Sequence, residues 1–172
     1  MPTAYPLPSL RRGDLVLRPA ERADADALLE MLAEPAVAEW WGDNTLESVI
    51  EEMAGAFTIE IDGEVAGLLE CHEEPDETYP SVAFDIFLGT RFHGRAHGRR
   101  ALRMAIDHFA NHGHHRFTID PTVGNEPAIR AYAAVGFKPV GTLRAAERSP
   151  AGEWRDALLM DLLAWELDPV AE

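Results

Sequence analysis

The residues most able to do chemistry lie in one run: Asp85-Ile86-Phe87-Leu88-Gly89-Thr90-Arg91-Phe92-His93-Gly94-Arg95-Ala96-His97-Gly98-Arg99-Arg100-Ala101-Leu102. It begins as an apolar strand, passes through a turn rich in Gly and Arg, and continues as an amphipathic helix. A helix start holds unpaired backbone N–H groups and the positive end of the helix dipole, so such a run makes an anion site. The alternative is a tight turn between two core elements, with its arginines in solvent.

Two nucleotide readings of the turn fail on spacing. No Gly-Lys-Ser/Thr follows, so it is not a phosphate loop of the NTPase type, and its glycines are mis-spaced for a dinucleotide fingerprint. The histidines His108, His112, His114 and His115 include an i, i+4 pair, but no nearby Cys or acidic residue completes a ligand set, so no metal is expected.

Composition narrows the partners. At 172 residues and 47% apolar, the chain suits one domain with a substantial core. A net charge of −15 argues against nucleic acid and favours cationic ligands. No apolar run approaches a membrane span, and Met1 to Leu10 reads as a Pro-rich tail rather than a signal peptide. The single Cys71 excludes an internal disulfide and permits a reducing cytoplasm, the compartment expected.

The elements that must position the run follow from periodicity. Leu15 to Arg18 reads as a first strand that Pro19 ends. Asp24 is expected to cap a helix with Ala27, Leu28, Met31 and Leu32 on one face, and Pro35 to stop it. Glu39-Trp40-Trp41-Gly42 reads as a loop and Thr45 to Ala54 as a short helix. Phe57 to Ile61 and Val65 to Cys71 form a hairpin about Asp62-Gly63, and His72 to Pro80 an acidic loop before the strand Ser81 to Leu88. The helix after the turn buries Leu102, Ala105, Ile106 and Phe109, and Gly113 ends it. Arg116 to Asp120 is a strand; Asn125 caps a helix that has Pro127 in its first turn and an inner face of Ala128, Ile129, Tyr132 and Val135. Phe137 to Glu147 and Glu153 to Leu162 complete a mixed α/β sheet. The expected organisation is a loose tail (1–13), one domain (14–163) and a C-terminal tail (164–172).

Two blocks carry a resemblance. The first is His93-Gly94-Arg95-Ala96-His97-Gly98 after a small apolar strand; the second is Asn125-Glu126-Pro127-Ala128-Ile129-Arg130-Ala131-Tyr132-Ala133-Ala134-Val135-Gly136-Phe137. In order and separation they resemble the acetyl-CoA pyrophosphate loop and the Asn–helix–Tyr–Gly-Phe segment of the GNAT N-acetyltransferases. His93 stands where that family has Gln or Arg, and Ala96 where it has its first Gly. The resemblance covers residues 14–163 and implies a single-domain GNAT fold, with a mixed central sheet flanked by helices.

It also implies roles. Backbone N–H groups of Arg95, Ala96, Gly98 and Arg99 would hold the pyrophosphate of acetyl-CoA, within a cofactor-binding set of His93, Gly94, Arg95, Ala96, His97, Gly98 and Arg99. The Arg95 and Arg99 side chains would add charge. Ile86, Phe87 and Leu88 would pair with the pantetheine arm as an added strand and aim an N–H at the acetyl oxygen. Asn125 would contact the arm, and Tyr132 would both meet it and protonate the leaving thiolate; otherwise Tyr132 is a core aromatic.

The stretches Phe84 to Leu88 and Thr118 to Pro121, with Asn125, Tyr132 and the pair Trp40–Trp41, look like the aminoglycoside 6'-N-acetyltransferase branch. That likeness makes Asp85 and Asp120 both amine ligands and candidate catalytic carboxylates, and places Trp40, Trp41 and Glu70 near the substrate. Antibiotic resistance is the role it implies. The alternative for the aspartates is structural: Asp120 capping a turn, Asp85 satisfying backbone donors. The expected activity is transfer of acetyl from acetyl-CoA, as co-substrate and without a metal, to a primary amine by direct attack. An aminoglycoside-like, polycationic acceptor leads. Protein N-termini, including ribosomal proteins, a siderophore lysine, and a non-catalytic acyl-CoA sensor remain alternatives, with monomer and homodimer both open.

Overall fold

A computed structural model describes residues 6–169; the outer parts of both expected tails, 1–5 and 170–172, lie outside the described residues. Eight strands form one sheet in the order β1-β2-β3-β4-β5-β6-β8-β7. They are β1 (Leu10–Arg12), β2 (Leu15–Pro19), β3 (Ala56–Ile61), β4 (Glu64–Glu74), β5 (Ser81–Leu88), β6 (Arg116–Ile119), β7 (Lys138–Arg148) and β8 (Trp154–Leu163). Every neighbouring pair is antiparallel except β5 and β6. That one parallel pair requires a crossover, and the helix α4 (His97–Asn111) supplies it.

Helices cover both faces. Leu102, Ile106 and Phe109 of α4, with Ile129 and Val135 of α5 (Glu126–Val135), pack on one side against Leu15, Ile59, Phe84 and Phe117. Leu28 and Leu32 of α1 (Ala25–Leu32), Val37 of α2 (Pro35–Trp41) and Val49 of α3 (Leu46–Glu52) cover Leu68 and Phe87 on the other. The fully buried side chains among these, unlike the partly buried Ile129 and Val135, each contribute about 1.5–3 kcal/mol from the area removed from water. The expected mixed α/β sheet flanked by helices is the observed one.

Several local expectations need correction. Leu10–Arg12 is not loose: it forms β1, an edge strand paired with β2. Residues 164–166 make a helical turn rather than a tail, with Leu163 N–H donating to Glu166. Pro35 does begin a new element after α1, but that element is α2, because a proline at the first helical position gives up an N–H that has no partner anyway. Trp40 and Trp41 are therefore the last turn of a helix, not a loop. Asp24 does not cap α1 with its side chain; its carboxylate accepts both Arg18 guanidinium nitrogens (2.8 and 2.7 Å) and the Thr58 hydroxyl (2.8 Å). The run from His72 is not loop at first, since β4 continues to Glu74 paired against β5. Among the described residues no helix is long and apolar enough to cross a membrane.

Candidate active site

The sheet opens where the chemistry was expected. β5 and β6 pair only over Ser81–Ala83 against Arg116–Thr118, yet β5 runs on to Leu88. Beyond Ile119 the chain turns to β8 instead: Leu158 N–H donates to the Pro121 carbonyl and Val123 N–H to the Asp156 carbonyl, both at 2.8 Å. Proline helps this departure, having no N–H to offer a ladder and steering Asp120 away from helical angles. The edge of Phe84–Leu88 that faces β6 is thus left without a strand partner among the described residues.

At the end of β5 the backbone builds the anion cradle. Gly94 has φ +73°, and Ala96 sits in the left-handed region at φ 62°, ψ 12°, immediately before α4. The first helical bond of this turn is Arg100 N–H to the Ala96 carbonyl (3.1 Å), so the N–H groups of His97, Gly98 and Arg99 point out of the helix start unclaimed. Ala96 can give them no side-chain cap. His93 does not face the cradle with its ring: Nε2–H donates to the Leu88 carbonyl (2.8 Å), fastening the turn to the strand end.

The arginines divide by partner. Arg100 bonds Asp14 (2.6 Å) and the Arg12 carbonyl, Arg103 bonds Asp107 (2.8 Å), and Arg91 meets Glu64. Arg95 and Arg99 are exposed, with no ion pair among the described residues, which leaves their charge for a ligand. The cradle and the strand gap open into one cavity of about 730 Å³. Its walls include Ile86, Phe87 and Leu88 of β5, Asn125 and Tyr132 at and within α5, and Trp40 and Trp41 of α2. Trp41 is fixed edge-on against Phe87, with ring centroids 5.0 Å apart. Trp40 stacks under the Arg155 guanidinium (5.5 Å), whose Nη1 also donates to the Glu39 carbonyl.

Asn125 has two ends and the fold uses one. Its Oδ1 accepts from Ala128 N–H (3.4 Å), capping α5, so the amide NH₂ is the end left for a ligand. Tyr132 lies two turns further along, edge-on to Phe137 (6.4 Å). Burial, then the charges of Asp85 and Asp120, hold its hydroxyl above the usual tyrosine range, so it remains a neutral donor at physiological pH.

Beside this cavity, rather than in its wall, carboxylates converge. Glu70 of β4 faces Asp85 of β5 directly across the antiparallel pair. Burial first, then Asp85 and Glu52, push the Glu70 carboxyl up to about 8. Glu52, from the last turn of α3, has a buried Oε2 without a hydrogen-bond partner, and burial and Asp85 raise it as well. Asp120 at the end of β6 is raised by burial, Asp85 and Glu147 in turn. His72 stands among them, Nε2 lying 3.1 Å from Asp85 Oδ2 and 3.6 Å from Glu70 Oε2. Sequence reasoning missed His72 and Glu52. The i, i+2 placement of Glu70 and His72 is the available signal, and a strand ending at Cys71 hides it.

Residues 20–137 match the model of the acetyltransferase (GNAT) family. The chain belongs to this family. It is an acetyl-CoA-dependent N-acetyltransferase. The spermidine N(1)-acetyltransferase of Escherichia coli K12 is 27% identical over 156 residues, covering 84% of this chain and 83% of that protein. Two solved structures share the fold. The spermidine N-acetyltransferase of Vibrio cholerae, in complex with CoA and spermine, superposes with a TM-score of 0.76 at 21% identity, over 90% of this chain and 98% of its own. An acetyltransferase from Salmonella typhimurium that modifies the N-terminal serine of ribosomal protein L7/L12 gives 0.77 at 20%, over 88% and 96%.

The acetyltransferase cradle suits a diphosphate on its own geometry: three free amides at a helix start, two unpaired arginines, and a glycine beside which an added Cβ would meet nothing within 4 Å. At Gly98 a Cβ would make only ordinary van der Waals contact with Leu88 (3.6 Å).

Proposed function

We propose that this acetyltransferase acylates a primary amine of a polycationic small molecule by direct attack, with a linear polyamine as the leading acceptor. One observation carries the acceptor class: Glu52, Glu70, Asp85 and Asp120 act on one another at the open end of the sheet, with His72 as the basic side chain among them. Carboxylates crowded so closely hold protons or cations, and an amine with two or three ammonium groups satisfies several at once. The 27% identity to a spermidine acetyltransferase supports the linear chain. Asp85 within β5 and Asp120 just past the end of β6 favour an amino sugar as the second reading.

In this reading the N–H groups of His97, Gly98 and Arg99 hold the pyrophosphate and the open edge of Ile86–Leu88 takes the pantetheine arm. Acetyl-CoA supplies the activated acyl group. Asp85 and Asp120 hold the acceptor ammonium and accept its proton, directly or through water. The free amine then attacks the thioester carbonyl; the C–N bond forms, the C–S bond breaks, the thiolate takes the Tyr132 proton, and the proton shed by the new amide nitrogen returns to Tyr132. Trp40 and Trp41 cover the mouth and keep water from the thioester.

Release of CoA thiol tests this on a panel of spermidine, spermine, kanamycin-type sugars, simple monoamines and a peptide bearing a free N-terminal serine. Turnover led by the polyamines supports the proposal, and turnover led by the sugars supports the second reading. Turnover of the peptide alone, or of nothing, refutes both.

A further inference from the structure

We propose that His72 is the resident counter-ion of the acceptor site: its ring occupies the place between Glu70 and Asp85 that the acceptor's ammonium takes over, so amine binding expels a proton from His72. This rests on the acceptor reading above.

The geometry begins with strand pairing. Glu70 and His72 lie two residues apart on β4 and so share a face, and Asp85 is opposite Glu70. The carboxylate oxygens and the imidazole nitrogen all fall within 4.8 Å of one another. One cation can serve both carboxylates, but an imidazolium and an ammonium within that distance repel each other. Exposure decides which can leave. The Glu70 side chain is 10% exposed and held inside, whereas the His72 side chain is 49% exposed. Its cross-strand neighbour is only Ala83, which leaves the ring free to swing outward.

Among the described residues the other groups facing this place are acidic or neutral: Glu52 from α3, Asp120 after β6, and Tyr132 from α5. The hydrogen bond to Asp85, aided by the charges of Asp85 and Glu70, holds His72 above its ordinary value. A raised histidine keeps its proton to a higher pH than a free imidazole and loses it as pH rises further, so displacement becomes easier in that direction. The amine KM therefore falls with rising pH, approaching about tenfold per pH unit where one proton is exchanged. Glu70 exchanges a proton in the same direction, so the slope alone does not separate the two.

Ring-nitrogen NMR on histidine-labelled protein separates them, with the His72 signal assigned by its loss in His72→Gln. At pH 6.5 the wild-type ring should be protonated alone and neutral in saturating spermidine. His72→Gln, which keeps the size without the charge, should lower the spermidine KM at pH 6.5 at least about threefold and flatten its pH slope. A His72 ring that stays protonated with spermidine bound overturns the proposal and leaves the acceptor reading standing, as does an unchanged slope in His72→Gln. Failure of spermidine to bind overturns both.

Discussion

Glu70 and Asp85 face each other directly across β4 and β5, two carboxylates at a position where cross-strand partners are normally apolar or opposite in charge. Like charges at that spacing destabilise a sheet, and burial first, then the charge of Asp85, makes Glu70 hold its proton to about pH 8. Such a pair beside an acyl-transfer cavity is what supports the proposed cationic acceptor.

Asp85→Asn and Asp120→Asn should each raise the KM for a polyamine about 10–100-fold, as expected for losing a charge-assisted hydrogen bond. The KM for acetyl-CoA should move less than about threefold. Steady-state kinetics with each substrate varied in turn checks this. Unchanged amine KM in both variants would remove the aspartates from amine binding.

Tyr132→Phe keeps the edge-on packing against Phe137 and removes only the hydroxyl. The expected outcome is a loss of about 10²–10⁴ in kcat with near-normal acetyl-CoA affinity, measured by titration calorimetry and thiol release. Equal losses in both would mark it as a packing residue.

The Glu70 carboxyl ionises near 4.5 ordinarily and near 8 in the fold, so between those values the folded chain binds more protons than the unfolded one. Stability from this group is complete below about pH 4.5 and is lost as pH rises toward 8. Glu70→Gln should therefore melt with the wild type at pH 4.5 and above it at pH 8.5, at about 2–4 °C per kcal/mol. A constant difference at both pH values would contradict the raised value.

Ala96 holds a left-handed conformation that costs an L-residue about 1–2 kcal/mol. Ala96→Gly should raise Tm by about 1–4 °C, allowing for the entropy glycine loses on folding, and leave acetyl-CoA KM unchanged. Ala96→Val, β-branched at positive φ, should lower Tm and weaken acetyl-CoA binding about tenfold.

Much of this arrangement was legible in the chain. The periodicity of Leu102, Ile106 and Phe109 located α4, and Asn125 with Pro127 marked the start of α5, because local chemistry fixes those elements. The expected lining residues from Ile86 to Arg99, with Asn125 and Tyr132, meet around one cavity, apart from the exposed Arg95. What local sequence could not say was which way the chain leaves β6, since hydrogen bonds from Val123 and Leu158 to and from β8 decide it. Nor could it say that His93 turns to the Leu88 carbonyl, or that β4 persists through an acidic run. Pairing with β5 stabilises His72–Glu74 as strand, and only that pairing brings His72 to Asp85.

The central claim is that the carboxylates around Asp85 select a polycation for acetyl transfer. The most direct measurement is kcat/KM for spermidine relative to a monoamine of similar length, in wild type and in Asp85→Asn. A ratio above about 100 that falls at least tenfold in Asp85→Asn is the predicted result. Equal kcat/KM for the two amines in wild type, or a ratio untouched by the substitution, would contradict it.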